Sequence, residues 1–155
     1  MKLSVIKGTA AGVAIGLSVG VCVYTFVYAK GGSYLVNNPA ACANCHIMQD
    51  HYDAWLKSSH RSVATCNDCH TPDGLIGKYY SKAENGFWHS LAFTTGRHPD
   101  PIRIKPHNKE IVEAACRKCH GEIVSSIETP HHGPHQPGGG KLSCVQCHDS
   151  VGHMK

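Results

Sequence analysis

The chain has 155 residues, nine of them cysteine and thirteen histidine, with a formal net charge of +4, which leaves room for one small domain and a targeting or anchoring segment. Its Lys and Arg residues are scattered and form no stripe, so composition argues against a nucleic-acid-binding surface. Past residue 30 the chain is polar and dotted with glycine and proline, and its apolar runs are too short to bury the surface that would offset its ordering entropy.

The first predicted element is residues 8–29, GTAAGVAIGLSVGVCVYTFVYA, an uncharged stretch. As a helix it would rise about 33 Å, enough to cross the hydrocarbon layer. Lys2 and Lys7 precede it, so the positive-inside bias places residues 1–7 in the cytoplasm and residues 30–155 outside the membrane. The small residues near Ala29 leave a cleaved secretory signal as the alternative. The stretch exceeds a usual signal core, and Tyr24, Phe26 and Tyr28 gather at its outer end like an interfacial belt, which favours an uncleaved single-pass anchor. Cys22 lies inside it with no cysteine nearby and reads as a small apolar residue.

Four copies of Cys-x-x-Cys-His come next. They run from Cys42 and Cys45 to His46, from Cys66 and Cys69 to His70, from Cys116 and Cys119 to His120, and from Cys144 and Cys147 to His148. Two thiols at this spacing add to the two vinyl groups of one haem while the adjacent histidine reaches the iron. Paired Cys-x-x-Cys units also build zinc sites, but zinc gives no reason for a histidine directly after every second cysteine. A disulfide framework fits worse, because cysteines this close are more often redox-active than structural. The pattern reads as a tetrahaem c-type cytochrome: mainly α, of low secondary-structure content, with four covalently bound haem c groups supplying the core. Their roughly eight propionates would absorb the basic surplus internally. Attachment of such haems outside the cytoplasmic membrane agrees with the anchor and makes the bacterial periplasm the expected compartment.

The motifs fall into two pairs, with 19 residues between His46 and Cys66 and 23 between His120 and Cys144, which hints at a duplicated dihaem unit. Between the pairs, residues 78–93 (KYYSKAENGFWHSLAF) read as a helix. Lys78, Lys82, Asn85 and His89 share one face, and Tyr80, Phe87, Trp88 and Leu91 occupy others. Gly86 weakens the helix; the segment suits either a packed surface helix or one lying on a membrane. Pro99, Pro101 and Pro106 then predict loop, until a helix near 109–117 presents the third motif. Residues 129–140 (TPHHGPHQPGGG) read as a flexible loop whose histidines could ligate iron, bind another metal or simply face solvent.

Four irons offer eight axial positions, and the motif histidines fill at most four. The chain holds a surplus outside the motifs: His51, His60, His89, His98, His107, His131, His132, His135 and His153. That composition argues for bis-histidine haems, which carry electrons and stay closed to substrates. Met48, two residues past the first motif, is either a potential-raising thioether ligand or a packing residue.

Two stretches, CANCHIMQDHYDAWLKSSHRSVATCNDCH and LIGKYYSKAENGFWHSLAFTTG, closely resemble the NapC/NirT/NrfH family of membrane-anchored cytochrome c quinol dehydrogenases, and the resemblance extends over the anchor and all four motifs. It implies that Met48, and not His46, binds the first iron, with the other side open or guarded for quinol. By the same resemblance His60 stands opposite His148 on the fourth iron and His153 opposite His70 on the second. His120 binds the third, whose other ligand comes from a catalytic subunit or from His131, His132 or His135. This chain carries His89 where some relatives have an acidic residue, so His89 could guard or ligate the first haem or take a quinol proton.

The implied activity is menaquinol oxidation with electrons passed to a periplasmic reductase, first of all a pentahaem cytochrome c nitrite reductase catalytic subunit in a hetero-oligomer, without nitrite chemistry in this chain. The alternative is a general hub feeding several reductases. Quinol oxidation releases two electrons and two protons, so it needs a group that hydrogen-bonds or accepts a proton. Lys82 and His89, two helical turns apart on one face, are the expected catalytic pair.

Overall fold

The computed structural model describes residues 2–127 and 143–153. Helices dominate, and there is no β-strand among the described residues. The chain divides into two units, Met1–Val36 and Asn37–Lys155.

The first unit is helix α1, Lys2–Tyr28, followed by a 3₁₀ turn, Gly31–Leu35. Its Ser4–Tyr28 portion is long and apolar enough to cross a membrane and begins earlier than the predicted span, since helical geometry continues through the flanking Lys7. A spanning helix has to satisfy its polar groups internally. Thr9 Oγ1 donates to the Val5 carbonyl (3.0 Å) and Ser18 Oγ to that of Ala14 (2.9 Å). Tyr24 and Tyr28 stack one turn apart, with ring centroids 5.9 Å apart. The helix stops at Lys30, which takes a left-handed φ of 51°. At Gly31 an added Cβ would lie 2.3 Å from the Phe26 ring, so this position accepts only a residue without one unless the ring moves.

The second unit contains α2 (Pro39–Cys42), a 3₁₀ turn (His46–Met48), α3 (Gln49–Leu56), α4 (Cys66–His70), α5 (Leu75–Thr94), α6 (Pro106–Cys119), α7 (Gly121–Ile127) and α8 (Cys144–Cys147). Helices cover more of the chain than expected, because three of the haem motifs are themselves helical turns and Pro39 and Pro106 fall at helix starts. Pro106, read as a breaker, is the first residue of α6. The first turn of a helix has no use for that N–H, and proline's fixed φ suits it. Pro39 opens α2 in the same way, with the Asn38 side chain accepting from the Ala40 N–H (3.0 Å). α5 runs on both sides beyond the predicted 78–93 and passes Gly86 without a break.

The unit has almost no polypeptide core. Among its described residues the only buried apolar side chain is Ile111, joined by two buried serines, Ser58 and Ser81. Polar ties hold the elements in place. The Asp68 carboxylate accepts from both the N–H and the hydroxyl of Thr65 (2.7 Å each) and so caps α4. Asn67 donates to the Asn37 side chain (2.9 Å), and Trp55 Nε1 donates to the Ala64 carbonyl (3.1 Å). α4 packs most extensively against α6, so the second and third motifs are spatial neighbours and the pairing by sequence spacing is not a division in packing.

α5 inverts the usual amphipathic arrangement. It turns Ser81 inward and joins α6 through a reciprocal amide pair, in which Asn108 Nδ2 donates to Asn85 Oδ1 at 2.9 Å. Its apolar residues face out: Ile76 is 86% exposed, Tyr80 69% and Phe87 62%.

Candidate functional site

In each of α4, α6 and α8 the two motif cysteines stand three residues apart in one helical turn, which puts both thiols on the same face. The histidine that follows closes the turn: His70 ends α4, and His120 and His148 stand just past the ends of α6 and α8. The first motif is more open. Cys42 ends α2, Cys45 precedes the 3₁₀ turn, and His46 and Met48 sit at the two ends of that turn.

The motifs are strung together in chain order. The thiols of Cys42 and Cys66 share a hydrogen bond that draws Cys42 down to about 7 and pushes Cys66 up. Cys69 and Cys119 lie within electrostatic range of one another, as do Cys116 and Cys144. First, second, third and fourth attachment points thus form a continuous series.

Three half-buried histidines outside the motifs converge on this series. His153 donates through Nδ1 to the His51 carbonyl (2.9 Å), and its ring centroid is 6.0 Å from that of His70 and 5.4 Å from that of His51. His60 engages the Val151 carbonyl through Nδ1 (3.2 Å), and its ring lies 6.1 Å from that of His120. A carbonyl partner makes Nδ1 the protonated nitrogen and leaves Nε2 as the lone-pair donor, the usual way a protein presents imidazole to a metal. Two imidazoles sharing one iron at an imidazole–metal bond of about 2 Å would hold their ring centroids roughly 6 Å apart, so the donor set fits haem. His70 sits deep among neighbouring atoms although the residue as a whole is exposed. Desolvation first, then His153 and His51, push it down to about 4; it stays neutral, the form that binds a metal.

A cavity of about 350 Å³ opens beside the third motif, lined by Lys118, Cys119, His120, Gly121, Glu122 and Ile123. Ser58 Oγ, two residues before His60, is buried with no hydrogen-bond partner among the described residues. Among the described residues no three His, Cys, Asp or Glu side chains converge as a group that could hold a single metal ion. His131, His132 and His135 lie outside the described residues, so ligation of the third iron from that loop has no structural account.

Lys82 and His89 both lie on α5. Lys82 rests 5.8 Å from the centre of the Tyr79 ring. Burial, then Lys78, lower its pKa against an opposing pull from Cys42, so Lys82 lies within electrostatic range of the first haem motif. His89 is also held below its ordinary range, by partial desolvation first and then by Lys105; Lys105 in turn lies 5.7 Å from the centre of the Trp88 ring. Sequence reasoning missed Glu113, a half-buried carboxylate tied to the fourth motif. Only its place one turn before Cys116 could have signalled it.

Four thioether-spaced motifs in series, with imidazoles presented from outside them, define a tetrahaem c-type cytochrome, and the apolar N-terminal helix adds a membrane anchor. The chain belongs to the NapC/NirT cytochrome c family, whose N-terminal region matches residues 4–155. Covalent haem c and electron transport follow from that membership. The chain is 38% identical over 138 residues to the cytochrome c-type protein NrfH of Wolinella succinogenes, covering 86% of this chain and 78% of the relative. It is 33% identical over 130 residues to the cytochrome c nitrite reductase subunit NrfH of Nitratidesulfovibrio vulgaris, covering 82% and 74%. Among solved structures it is similar to a chain of the cytochrome c nitrite reductase NrfHA complex bound to the HQNO inhibitor. There the TM-score is 0.64 and the identity 30%, over 92% of this chain and 90% of that one. The apolar helix and the NrfH relatives together point to membrane anchoring.

Proposed function

We propose that this chain oxidises menaquinol at the outer face of a bacterial cytoplasmic membrane and delivers the electrons to a periplasmic reductase, foremost cytochrome c nitrite reductase. The observation that carries the reading is Lys82: a partly buried ammonium within electrostatic range of the first haem motif, on a helix whose aromatic and aliphatic side chains face outward. Bound haem supplies one-electron acceptance and onward transfer. Lys82, as an ammonium, donates a hydrogen bond to one quinol oxygen, His89 takes up one of the two quinol protons while the other passes to water, and the outward face of α5 rests at the lipid headgroups. The NrfH relatives and the NrfHA complex support the choice of partner. The positively charged residues ahead of α1's apolar stretch support a cytoplasmic N-terminus.

The test uses the full chain with its haems in nanodiscs. Menaquinol is expected to reduce it, HQNO to inhibit that reduction, and added cytochrome c nitrite reductase to form a stoichiometric complex and drain the electrons to nitrite. Failure of menaquinol to reduce the chain would overturn the activity. Equal turnover with unrelated periplasmic reductases and no stable complex would replace the dedicated role by the hub.

In this reading Met48 binds the first iron, His70 and His153 the second, His120 the third, and His60 with His148 the fourth. The bond from His60 to Val151, three residues after His148, supports the last pair. The ring distance of 6.1 Å between His60 and His120 favours a second reading, in which His60 completes the third iron. Replacing His60 by alanine is expected to convert one low-spin haem to a high-spin or open form in the electron paramagnetic resonance spectrum. The same change made with His120→Ala decides between the two assignments. If both side chains serve one iron, a single centre is altered in the double variant; if they serve different irons, two are.

A further inference from the structure

Resting on the tetrahaem reading, we propose that Glu113 is a positioning residue that docks the fourth haem-attachment turn onto the helix of the third and so sets the spacing of the last two redox centres. α8 is four residues long, far too short to hold its own conformation. Its residue before the first turn, Ser143, makes no capping bond of its own. Instead the Ser143 hydroxyl donates to Glu113 Oε1 at 2.6 Å, the Cys144 N–H donates to Oε2 at 2.8 Å, and the Val145 N–H donates to Oε1 at 3.3 Å. Both carboxylate oxygens are used, and the otherwise orphaned donors at the start of α8 are satisfied by a side chain of α6. Glu113 stands one turn before Cys116, so the same helical face carries the tether and the third attachment point. The result is that the first cysteine of the third motif lies beside the first cysteine of the fourth.

The carboxylate also brings charge. Desolvation, the largest single influence on it, favours the neutral acid, but the bonds from Ser143, Cys144 and Val145 together outweigh it and hold Glu113 at about 2. It is therefore a fixed negative charge between two attachment points, and negative charge near a haem lowers its reduction potential by favouring the oxidised iron. One side chain thus governs both the gap and the potentials of the last two centres.

The experiment compares the haem-loaded full chain with Glu113→Gln and Glu113→Asp in nanodiscs, by haem count, redox titration and Soret circular dichroism. Gln keeps the length but loses the charge and one acceptor; Asp keeps the charge but falls a methylene short. Glu113→Gln is expected to shift two of the four midpoint potentials upward and to change the exciton signal between neighbouring haems, while Glu113→Asp restores the potentials more fully than the exciton signal. Loss of the fourth haem alone from the Gln variant would also support the docking role. Four retained haems with parental potentials and an unchanged exciton signal in Glu113→Gln would overturn it. A parent chain carrying no haem would instead refute the tetrahaem reading beneath it.

Discussion

Replacing all eight motif cysteines by serine is expected to abolish the fold of residues 37–155 while leaving the N-terminal helix in the membrane. Ordering one residue costs on the order of 1–2 kcal/mol of backbone entropy alone, and burying one large apolar side chain returns about 1.5–3 kcal/mol. With Ile111 as the one buried apolar side chain among the described residues, that return comes nowhere near the cost for a domain of this size. Hydrogen bonds such as Asn85 to Asn108 or Thr65 to Asp68 add roughly 1 kcal/mol each and leave most of the deficit standing. Covalently tied haems supply the missing apolar surface and shrink the unfolded ensemble as cross-links do. Amide hydrogen exchange checks the outcome: residues 37–127 of the octuple variant should exchange at nearly unprotected rates, and residues 4–28 should remain protected. Native-like protection of α5 and α6 would show that the polypeptide holds itself together.

The second large effect is expected at Lys82 and His89. Replacing either by leucine should lower kcat/KM for menaquinol by at least about tenfold and the double change by about a hundredfold or more, within the range of a positioned acid–base group. Haem content should stay at the parental value, because neither side chain is assigned to an iron, while loss of the Lys82 charge near the first motif should lower the first potential and leave the other three in place. The pH profile separates their parts. His89 is held below the usual imidazole pKa of about 6.5, so it stays neutral and able to accept a proton to lower pH than a free histidine. Activity should fall as pH drops through that lowered value, and this acid limb should disappear in His89→Leu. His89→Asp, which keeps a proton-accepting group at this position, should retain activity. Menaquinol oxidation unchanged in Lys82→Leu and His89→Leu would remove both residues from the mechanism.

Much of this molecule is written in local pattern. The attachment chemistry needs two thiols and an imidazole within five consecutive residues, and the anchor needs only an unbroken apolar run, so neither depends on distant contacts. Boundaries were less legible where one residue type serves two purposes. Pro106 breaks a helix from inside but opens one at its first position, and only the chain around it decides which. α5 likewise showed its period, yet a helix that turns serine and asparagine inward reverses the rule by which an apolar face is taken to be the buried one. That reversal has a local cause, since Asn85 meets the matching amide of Asn108 on α6.

The choice among nine spare histidines was beyond any reading of spacing. His60 and His153 come to the motifs across separations of many tens of residues, each through a carbonyl that fixes its Nδ1, and such long-range pairing leaves no periodic trace. The same holds for Glu113, whose role exists only because α8 folds against α6. What the amino-acid order determined by itself was covalent chemistry and lipid affinity, both properties of contiguous residues. What the tertiary structure alone decided was which imidazoles, amides and carboxylates meet, because those contacts depend on how the helices are brought together and not on any interval along the chain.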